Sequence, residues 1–249
     1  MMPFGLTNAP ATFQTLMNDI FQPYLNEFIL VYIDDILIYS KDEQQHWEHL
    51  RKTFQILQEN TLFAKKSKCH FAVPEIEYLG HIVSGQGVTV DPKKTAAIRE
   101  WPTPKTLKSL RGFNGLTSYY RRFIPGFSAI ASPLTSLCKK GSDITKEWTN
   151  EHTKAMVTLK RLLTDAPVMV IPDPQESFEV TTDASNIAIG AVLTQYQHPV
   201  AYMSQKLNEH QKNYTTQDKE LLAVIRALQT WRHFLLGKKF TLWTDYQPL

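Results

Sequence analysis

The sequence is poor in cysteine and contains no long apolar segment. Its two cysteines, Cys69 and Cys138, cannot build the disulfide framework of a small secreted domain, and their spacing is not that of a metal-binding pair. The most apolar stretch, residues 28–38, is interrupted by Asp34 and Asp35, whereas a membrane helix needs about 20 apolar residues. The first residues lack the charged and apolar regions of a signal peptide. We therefore expect an intracellular protein, cytoplasmic or nuclear, that is not secreted and has no membrane partner.

The composition is that of a folded globular protein. Apolar residues make up 43% of the chain and charged residues 20%, which excludes low-complexity and collagen-like architectures and argues against a mainly disordered chain. At about 150 residues per domain, the 249 residues predict between one and two domains. Apolar periodicity and turn residues predict helices near 11–21, 42–60, 92–100, 106–123, 150–164 and 216–236, strands near 28–33, 36–40, 75–84, 178–183, 187–194, 200–204 and 240–245, and a polar linker at 139–149.

The net charge of +3 conceals an uneven distribution. Residues 91–140 carry ten lysines and arginines against two acids, whereas residues 1–90 carry six against ten and residues 141–249 eleven against twelve. Such a local basic block indicates a polyanionic partner, with a solvated basic surface as the open alternative. Inside the block, aromatic and basic residues adjoin each other in the run Tyr119–Phe123. That run is suited to stacking bases and holding phosphates, but an aromatic pair on a helix more often packs in the core, and both interpretations stay open.

Two adjacent carboxylates, Asp34 and Asp35, separate the β-prone runs 28–33 and 36–40. The two-residue spacing predicts a tight hairpin with the carboxylates at its tip. Because like charges this close resist joint ionisation unless a cation neutralises them, the pair suggests a Mg²⁺ site, in which one or two carboxylates and substrate phosphate oxygens bind the ion. Aspartate is also a common turn residue, so the pair alone leaves both interpretations open.

Three further acids could meet in the last third of the chain. Asp183 and Asp245 each follow a threonine at the end of a predicted strand, and Glu220 shares a helical face with Ala223 and Ala227. If the two strands are parallel neighbours, both aspartates emerge at one sheet edge, and the packed helix face aims Glu220 inward. Three converging carboxylates suit a pair of divalent metals that activate water and stabilise a leaving oxygen. Three unrelated surface acids are the open alternative.

Several segments follow one another in an informative order. They are Met2-Pro3-Phe4-Gly5-Leu6-Thr7-Asn8-Ala9-Pro10, Tyr32-Ile33-Asp34-Asp35, Tyr78-Leu79-Gly80-His81, Leu110-Arg111-Gly112-Phe113, Tyr119-Tyr120-Arg121-Arg122-Phe123-Ile124, Thr182-Asp183-Ala184-Ser185, Lys219-Glu220-Leu221-Leu222-Ala223 and Thr244-Asp245-Tyr246-Gln247-Pro248-Leu249. In this order they resemble the reverse transcriptase and RNase H region of gypsy-type LTR retrotransposon polyproteins. The resemblance covers essentially the whole chain.

The resemblance implies a mixed fold of the α+β and α/β classes. Its parts would be a partial polymerase palm of antiparallel sheet and helices at 1–90, a basic helical thumb at 91–140, a connecting linker and helix at 141–171, and a C-terminally truncated RNase H-like mixed sheet with helices at 172–249.

The same resemblance implies residue roles. The catalytic, metal-binding carboxylates would be Asp34 and Asp35 in the polymerase and Asp183, Glu220 and Asp245 in the RNase H, with Mg²⁺ or alternatively Mn²⁺ as the ion. Phe4 and Gly5 would flank the incoming nucleotide, and the primer–template would contact Tyr32, Tyr78, Leu79, Gly80, Arg121 and Arg122.

The implied activity is RNA-directed DNA synthesis together with hydrolysis of the RNA strand of hybrids by two-metal chemistry. The partners would be an RNA template, a DNA primer, an RNA–DNA hybrid and deoxynucleoside triphosphates; the oligomeric state is not implied. The family places one more polymerase aspartate upstream of residue 1 and a fourth RNase H carboxylate after residue 249, so we expect little polymerase and weak RNase H activity from this stretch alone. The alternative is a non-catalytic nucleic-acid-binding remnant or co-opted module.

Overall fold

The structure is a computed structural model that describes residues 7–139, 141–173 and 175–245. The chain divides into two compact units, Met1–Tyr78 and Leu79–Leu249. Both units combine helices and strands, so the predicted mixed fold class is confirmed. Among the described helices, none has both the length and the apolar character of a membrane span.

The first unit is built on a two-stranded hairpin and two longer helices. Its described elements are α1 (Ala9–Phe21), β1 (Ile29–Tyr32), β2 (Asp35–Ile38), α2 (Glu43–Glu59) and β3 (Glu75–Tyr78), with 3₁₀ turns at Gln22–Tyr24 and Lys66–Lys68. The predicted hairpin is confirmed, because β1 and β2 pair in antiparallel register, but its two connecting residues are Ile33 and Asp34 rather than Asp34 and Asp35. Apolar side chains of both helices and of β1 form one buried cluster that includes Met17, Phe21, Ile29 and Leu57, and this cluster fixes α1 and α2 against the hairpin.

The second unit begins with a hairpin and a group of helices. These elements are β4 (His81–Ser84), β5 (Gly87–Val90), α3 (Pro92–Glu100), α4 (Leu107–Tyr119), α5 (Phe127–Ser136), α6 (Ile144–Glu147) and α7 (Asn150–Thr164), with a 3₁₀ turn at Arg121–Phe123. Asp91 caps α3 by accepting a hydrogen bond from the Lys93 N–H at 2.8 Å, a role for which aspartate is well suited. Leu110, Phe113, Leu134 and Leu159 are all fully buried in the core between these helices.

A short bridge ties the β4–β5 hairpin to the segment after α7. The Val88 N–H donates to the Met169 carbonyl at 2.8 Å, and the Met169 N–H donates back to Val88 at 2.9 Å. Gly87 makes this approach possible: its φ is +137°, and a Cβ atom there would lie 2.3 Å from the Met169 carbonyl oxygen. Only glycine fits such a backbone without displacement.

The rest of the second unit is a four-stranded sheet covered by a helix. The strands are β6 (Phe178–Ala184), β7 (Ala188–Gln195), β8 (His198–Lys206) and β9 (Phe240–Trp243), in the order β8-β7-β6-β9, and the helices are α8 (Glu209–Lys212), α9 (Thr216–Thr230) and α10 (Arg232–Leu235). The sheet is antiparallel except that β9 is parallel to β6. Ala223 and Ala227 of α9 are fully buried, and their small side chains let the helix approach the strands closely.

Several sequence predictions need correction. The helix predicted over 106–123 ends at Tyr119, and α5 was not predicted. The single strand predicted over 75–84 is interrupted, because Leu79 and Gly80 have left-handed φ values of +49° and +73°. The long helix predicted over 216–236 ends at Thr230 and a separate turn of helix follows Trp231. The linker predicted at 139–149 contains the short helix α6, which forms because the Asp143 carboxylate caps it and Ile144 is buried.

Candidate metal and nucleic-acid sites

The Asp34–Asp35 pair lies at the tip of the β1–β2 hairpin. Asp35 is the first residue of β2 and lies opposite Tyr32 in the antiparallel register, while Ile33 and Asp34 form the connection. Both aspartates are exposed, and Tyr32 is 53% exposed beside them. Accessible, adjacent carboxylate oxygens are the kind of ligand that hard divalent cations take in proteins.

The residue before this pair has an unusual backbone that a distant side chain stabilises. Ile33 has φ +52°, a left-handed conformation that is a true outlier for a β-branched residue and costs about 1–3 kcal/mol. The Gln14 side chain of α1 accepts a hydrogen bond from the Ile33 N–H at 2.5 Å and donates to the Val31 carbonyl at 3.3 Å. Sequence reasoning missed Gln14, since its two partners lie 17 and 19 residues away and no periodic pattern connects them.

Tyr78, at the end of β3, lies close enough to the hairpin for the charge of Asp35 to affect its pKa. Burial raises the pKa of the half-buried Tyr78 hydroxyl to about 12, with the negative charge of Asp35 as the second cause. Tyr78 is therefore a neutral phenol near pH 7, and its hydroxyl can serve as a hydrogen-bond donor in the neighbourhood of Asp35.

Two consecutive tyrosines hold the turn between Tyr78 and His81. The Tyr119 hydroxyl donates to the Leu79 carbonyl at 2.5 Å, and the Tyr120 hydroxyl donates to the Gly80 carbonyl at 2.7 Å. Tyr120 is 1% exposed whereas Tyr119 is 52% exposed. Of the two interpretations left open by the sequence, core packing therefore describes Tyr120, while Tyr119 presents part of its ring to solvent.

His81 lies in a cage formed by three aromatic rings. Its imidazole stacks on Tyr119 and Phe123, with centroid distances of 5.5 Å to each, and meets the edge of Tyr120 at 5.4 Å. Burial lowers the pKa of His81, and the positive charge of Arg122 lowers it further. The ring is thereby held neutral and packs as an aromatic residue.

The two adjacent arginines differ in what they contact. The Arg121 guanidinium donates to the Ser204 carbonyl and to the Ser128 hydroxyl, the latter at 3.3 Å, and lies 5.5 Å from the Phe127 ring centroid. Arg122 is exposed and has no hydrogen bond or ion pair within the described part of the chain. Arg121 thus joins α5 to β8, while Arg122 retains its donors for an external acceptor.

The parallel pairing of β6 and β9 carries two acids to the same edge of the sheet. Thr181 is opposite Trp243 in the register, so Asp183 and Asp245 each lie two residues beyond this pair. Both aspartates are exposed. The condition set by the sequence, that the two strands be parallel neighbours, is therefore met.

Glu220 of α9 reaches the same edge from the covering helix. It is only 5% exposed, and its Oε1 accepts a hydrogen bond from the Ala184 N–H at 3.2 Å, while its buried Oε2 has no partner among the described residues. Burial raises the pKa of Glu220; the hydrogen bond opposes this, and the negative charges of Asp183 and Asp245 raise the pKa further. Glu220 therefore lies on the Ala184 side of this edge, where the charges of both aspartates act on its carboxyl group.

The described residues contain no group of three or more His, Cys, Asp or Glu side chains placed so that it could hold a metal ion. The buried Oε2 of Glu220, which has no described partner, nevertheless fits a divalent ion, because a cation would be the positively charged partner of this carboxylate oxygen. Mg²⁺ commonly takes only one or two protein carboxylates and completes its shell with water and phosphate oxygens. Phe4 and Gly5, predicted to contact the nucleotide, lie outside the described residues.

Comparison with known proteins identifies two family models along the chain. Residues 1–83 match the model described as "Reverse transcriptase (RNA-dependent DNA polymerase)", and residues 148–242 match "RNase H-like domain found in reverse transcriptase". Together the matches include the hairpin aspartates and Glu220.

Related sequences span this chain completely. It is 45% identical to the retrovirus-related Pol polyprotein from transposon 297 and 40% identical to that from transposon opus, both of Drosophila melanogaster, and 36% identical to the transposon Tf2-3 polyprotein of Schizosaccharomyces pombe. Each similarity covers 100% of this chain but only 23%, 26% and 19% of the relative. The chain thus spans about a fifth to a quarter of the length of these relatives.

Solved structures of a viral reverse transcriptase are also similar to this chain. The foamy viral protease–reverse transcriptase in complex with RNA/DNA hybrid matches with a TM-score of 0.84 and 28% identity over 97% of this chain and 33% of that protein. The same viral protein in complex with dsDNA matches with a TM-score of 0.82 and 28% identity, over 97% of this chain and 51% of that one.

Proposed function

Because this chain belongs to the reverse transcriptase and RNase H-like families of retrotransposon Pol polyproteins, we propose that it acts within an RNA-directed DNA polymerase that also has ribonuclease H activity. Its partners in this role are an RNA template, a DNA primer, deoxynucleoside triphosphates and the RNA–DNA hybrid. The observation that carries the proposal is the parallel pairing of β6 and β9, which brings Asp183 and Asp245 to the sheet edge where Glu220 accepts from the Ala184 N–H.

In the polymerase part, Asp34 and Asp35 hold Mg²⁺, or Mn²⁺ in its place. Their exposure at the hairpin tip leaves both carboxylates open to an ion and to the phosphates of a nucleotide. Tyr32, exposed on the same hairpin, lies against the primer–template. Phe4 and Gly5 flank the incoming nucleotide.

In the RNase H part, Asp183, Glu220 and Asp245 hold the divalent ions. Enzymes of both families generally use divalent metals. When bound, such an ion supplies positive charge that activates a water or hydroxyl and stabilises the leaving oxygen. Glu220 is suited to this role because its buried Oε2 has no other described partner, and the hydrogen bond from Ala184 orients the carboxylate.

The nucleic-acid grip combines the tyrosine-held turn with a basic surface. Leu79 and Gly80 present a turn fixed by two hydroxyls, Tyr78 supplies a neutral phenol, and Arg122 supplies free guanidinium donors for phosphate. We assign Arg121 chiefly to holding this region together, because its donors contact Ser204 and Ser128. The parts are a palm piece at 1–90, a thumb at 91–140, a connection at 141–171 and an RNase H-like part at 172–249.

Binding of a fluorescent RNA–DNA hybrid, measured by anisotropy as a function of salt, tests this proposal. We expect micromolar or weaker affinity that declines steeply between about 50 and 200 mM salt, because phosphate contacts release counterions. Arg122→Ala should reduce the salt slope by about one unit. Arg161→Ala, on an exposed position of α7, is the matched control and should leave the slope unchanged.

Two outcomes would count against the proposal. Affinity that stays flat with salt would contradict the assignment of the basic segment to a phosphate-binding role. Hybrid binding that neither Mg²⁺ nor Asp183→Asn alters would favour the non-catalytic alternative over a metal-dependent enzyme.

A further inference from the structure

The hairpin that carries Asp34 and Asp35 lacks direct support for its carboxylates. Within the described residues, neither aspartate side chain makes a hydrogen bond or an ion pair. The direction of both carboxylates therefore depends on the backbone of the connection. That backbone includes Ile33 in its left-handed conformation, φ +52°, which the residue would leave if nothing held it there.

The Gln14 side chain holds the Ile33 backbone in this conformation by hydrogen bonds. Its Oε1 accepts from the Ile33 N–H and its Nε2 donates to the Val31 carbonyl, so one amide group grips the backbone on both sides of Tyr32. The same Nε2 donates to Asn18 Oδ1 at 2.8 Å, one turn further along α1, which orients the amide. A glutamine amide can make both bonds because its planar end carries an acceptor oxygen and an N–H donor side by side.

The helix that carries Gln14 is anchored in the core of the first unit. Met17 and Phe21 of α1 are buried in the same cluster as Ile29 of β1. Gln14 thus extends from a helix that is packed against the hairpin.

We infer that Gln14 is a positioning residue that sets the geometry of the Asp34–Asp35 metal site by holding Ile33 in the left-handed conformation. This inference rests on the proposed function, in which the two aspartates bind divalent metal. Gln14 itself touches neither metal nor substrate; it acts through the backbone.

The test follows backbone amide signals of residues 33–36 by NMR in the full 249-residue chain. Exchange of the Ile33 amide hydrogen reports the bond to Gln14, and paramagnetic broadening during a Mn²⁺ titration reports metal affinity at this site alone. Gln14→Met preserves length and removes both polar atoms. We expect faster Ile33 exchange and about tenfold weaker Mn²⁺ binding, the lower range for loss of an outer contact around a metal ligand.

The matched control is Gln55→Met on α2, where the exposed Gln55 amide donates only to Glu59 at 2.8 Å. It should change neither measurement. Gln14→Glu keeps an acceptor for Ile33 and should retain slow exchange even if the Met variant fails to fold.

A double-mutant cycle separates an effect of Gln14 on the Ile33 conformation from a general effect on the stability of the first unit. Ile33→Gly tolerates the left-handed φ without help, so in that background the Gln14→Met effect on Mn²⁺ affinity should fall to less than twofold. An undiminished tenfold effect, or unchanged Ile33 exchange in Gln14→Met, would overturn the inference. Asp34→Asn with Asp35→Asn must abolish the broadening; if they do not, the proposed metal site itself fails, whatever Gln14 does.

Discussion

Removing the Tyr120 hydroxyl should weaken the second unit measurably. In Tyr120→Phe, the ring remains in its buried position, but the Gly80 carbonyl loses the donor that lies 2.7 Å away. Because Tyr120 is 1% exposed and Gly80 is half-buried, water replaces that donor only in part. The turn that carries Leu79 and Gly80 would then lose one of its two hydroxyl donors, Tyr119 and Tyr120.

The size of the effect follows from the burial. Leaving a buried acceptor unsatisfied costs about 1–3 kcal/mol. In a unit that runs from Leu79 to Leu249, each kcal/mol lowers the midpoint of thermal unfolding by about 2–4 °C. Circular dichroism melting curves of the variant and of the unchanged chain would measure this shift.

Tyr119→Phe is the matched control on the neighbouring residue. It removes the same hydroxyl from the adjacent carbonyl of Leu79, but Tyr119 is 52% exposed and water can hydrate the freed oxygen. We expect a loss below about 0.5 kcal/mol, as for most surface changes. Equal losses in the two variants, or a larger loss in Tyr119→Phe, would refute the explanation by burial.

Two further predictions concern the same unit. Gly87→Ala should lower the free energy of unfolding by more than backbone strain alone, which costs about 1–3 kcal/mol, because the new Cβ would lie 2.3 Å from the Met169 carbonyl oxygen. The control Gly85→Ala, in the same turn, has no atom within 4 Å of its Cβ and should leave stability unchanged. Denaturant unfolding compares the two variants, and equal stability would disprove the clash. The pKa of Glu220 is raised, so its favourable contribution to folding stability is complete below the ordinary carboxyl pKa and is lost as pH rises through the raised pKa. In EDTA the melting temperature should therefore fall over that pH range, Glu220→Gln should abolish this fall, and the control Glu179→Gln should keep it. An unchanged pH profile in Glu220→Gln would contradict the assigned cause.

Local patterns in the sequence were sufficient for much of the fold. The two-residue spacing between β-prone runs predicted the hairpin, and the threonine–aspartate endings of two strands predicted that Asp183 and Asp245 lie at one sheet edge if the strands are parallel, as β6 and β9 are. Both depend on period and strand direction, which short segments encode. The helix face that carries Ala223 and Glu220 was predicted for the same reason.

Long-range contacts account for what the sequence did not reveal. Gln14 is an ordinary polar position on α1 until the hairpin folds against it, and Arg121 looks equivalent to Arg122 until Ser204 is brought near from β8. The break at Leu79 was also missed, since leucine rarely adopts a positive φ and only the tyrosine hydroxyls of a later helix stabilise it there. The roles assigned to these residues remain predictions.

The central claim, that the acids at the β6–β9 edge bind divalent metal together with nucleic acid, is tested most directly by counting bound Mn²⁺ by electron paramagnetic resonance in the presence of an RNA–DNA hybrid. The account predicts that the chain binds Mn²⁺, that Asp183→Asn combined with Asp245→Asn removes the portion assigned to this edge, and that Glu179→Gln does not. Equal Mn²⁺ binding by the chain with and without Asp183, Glu220 and Asp245 would contradict the account.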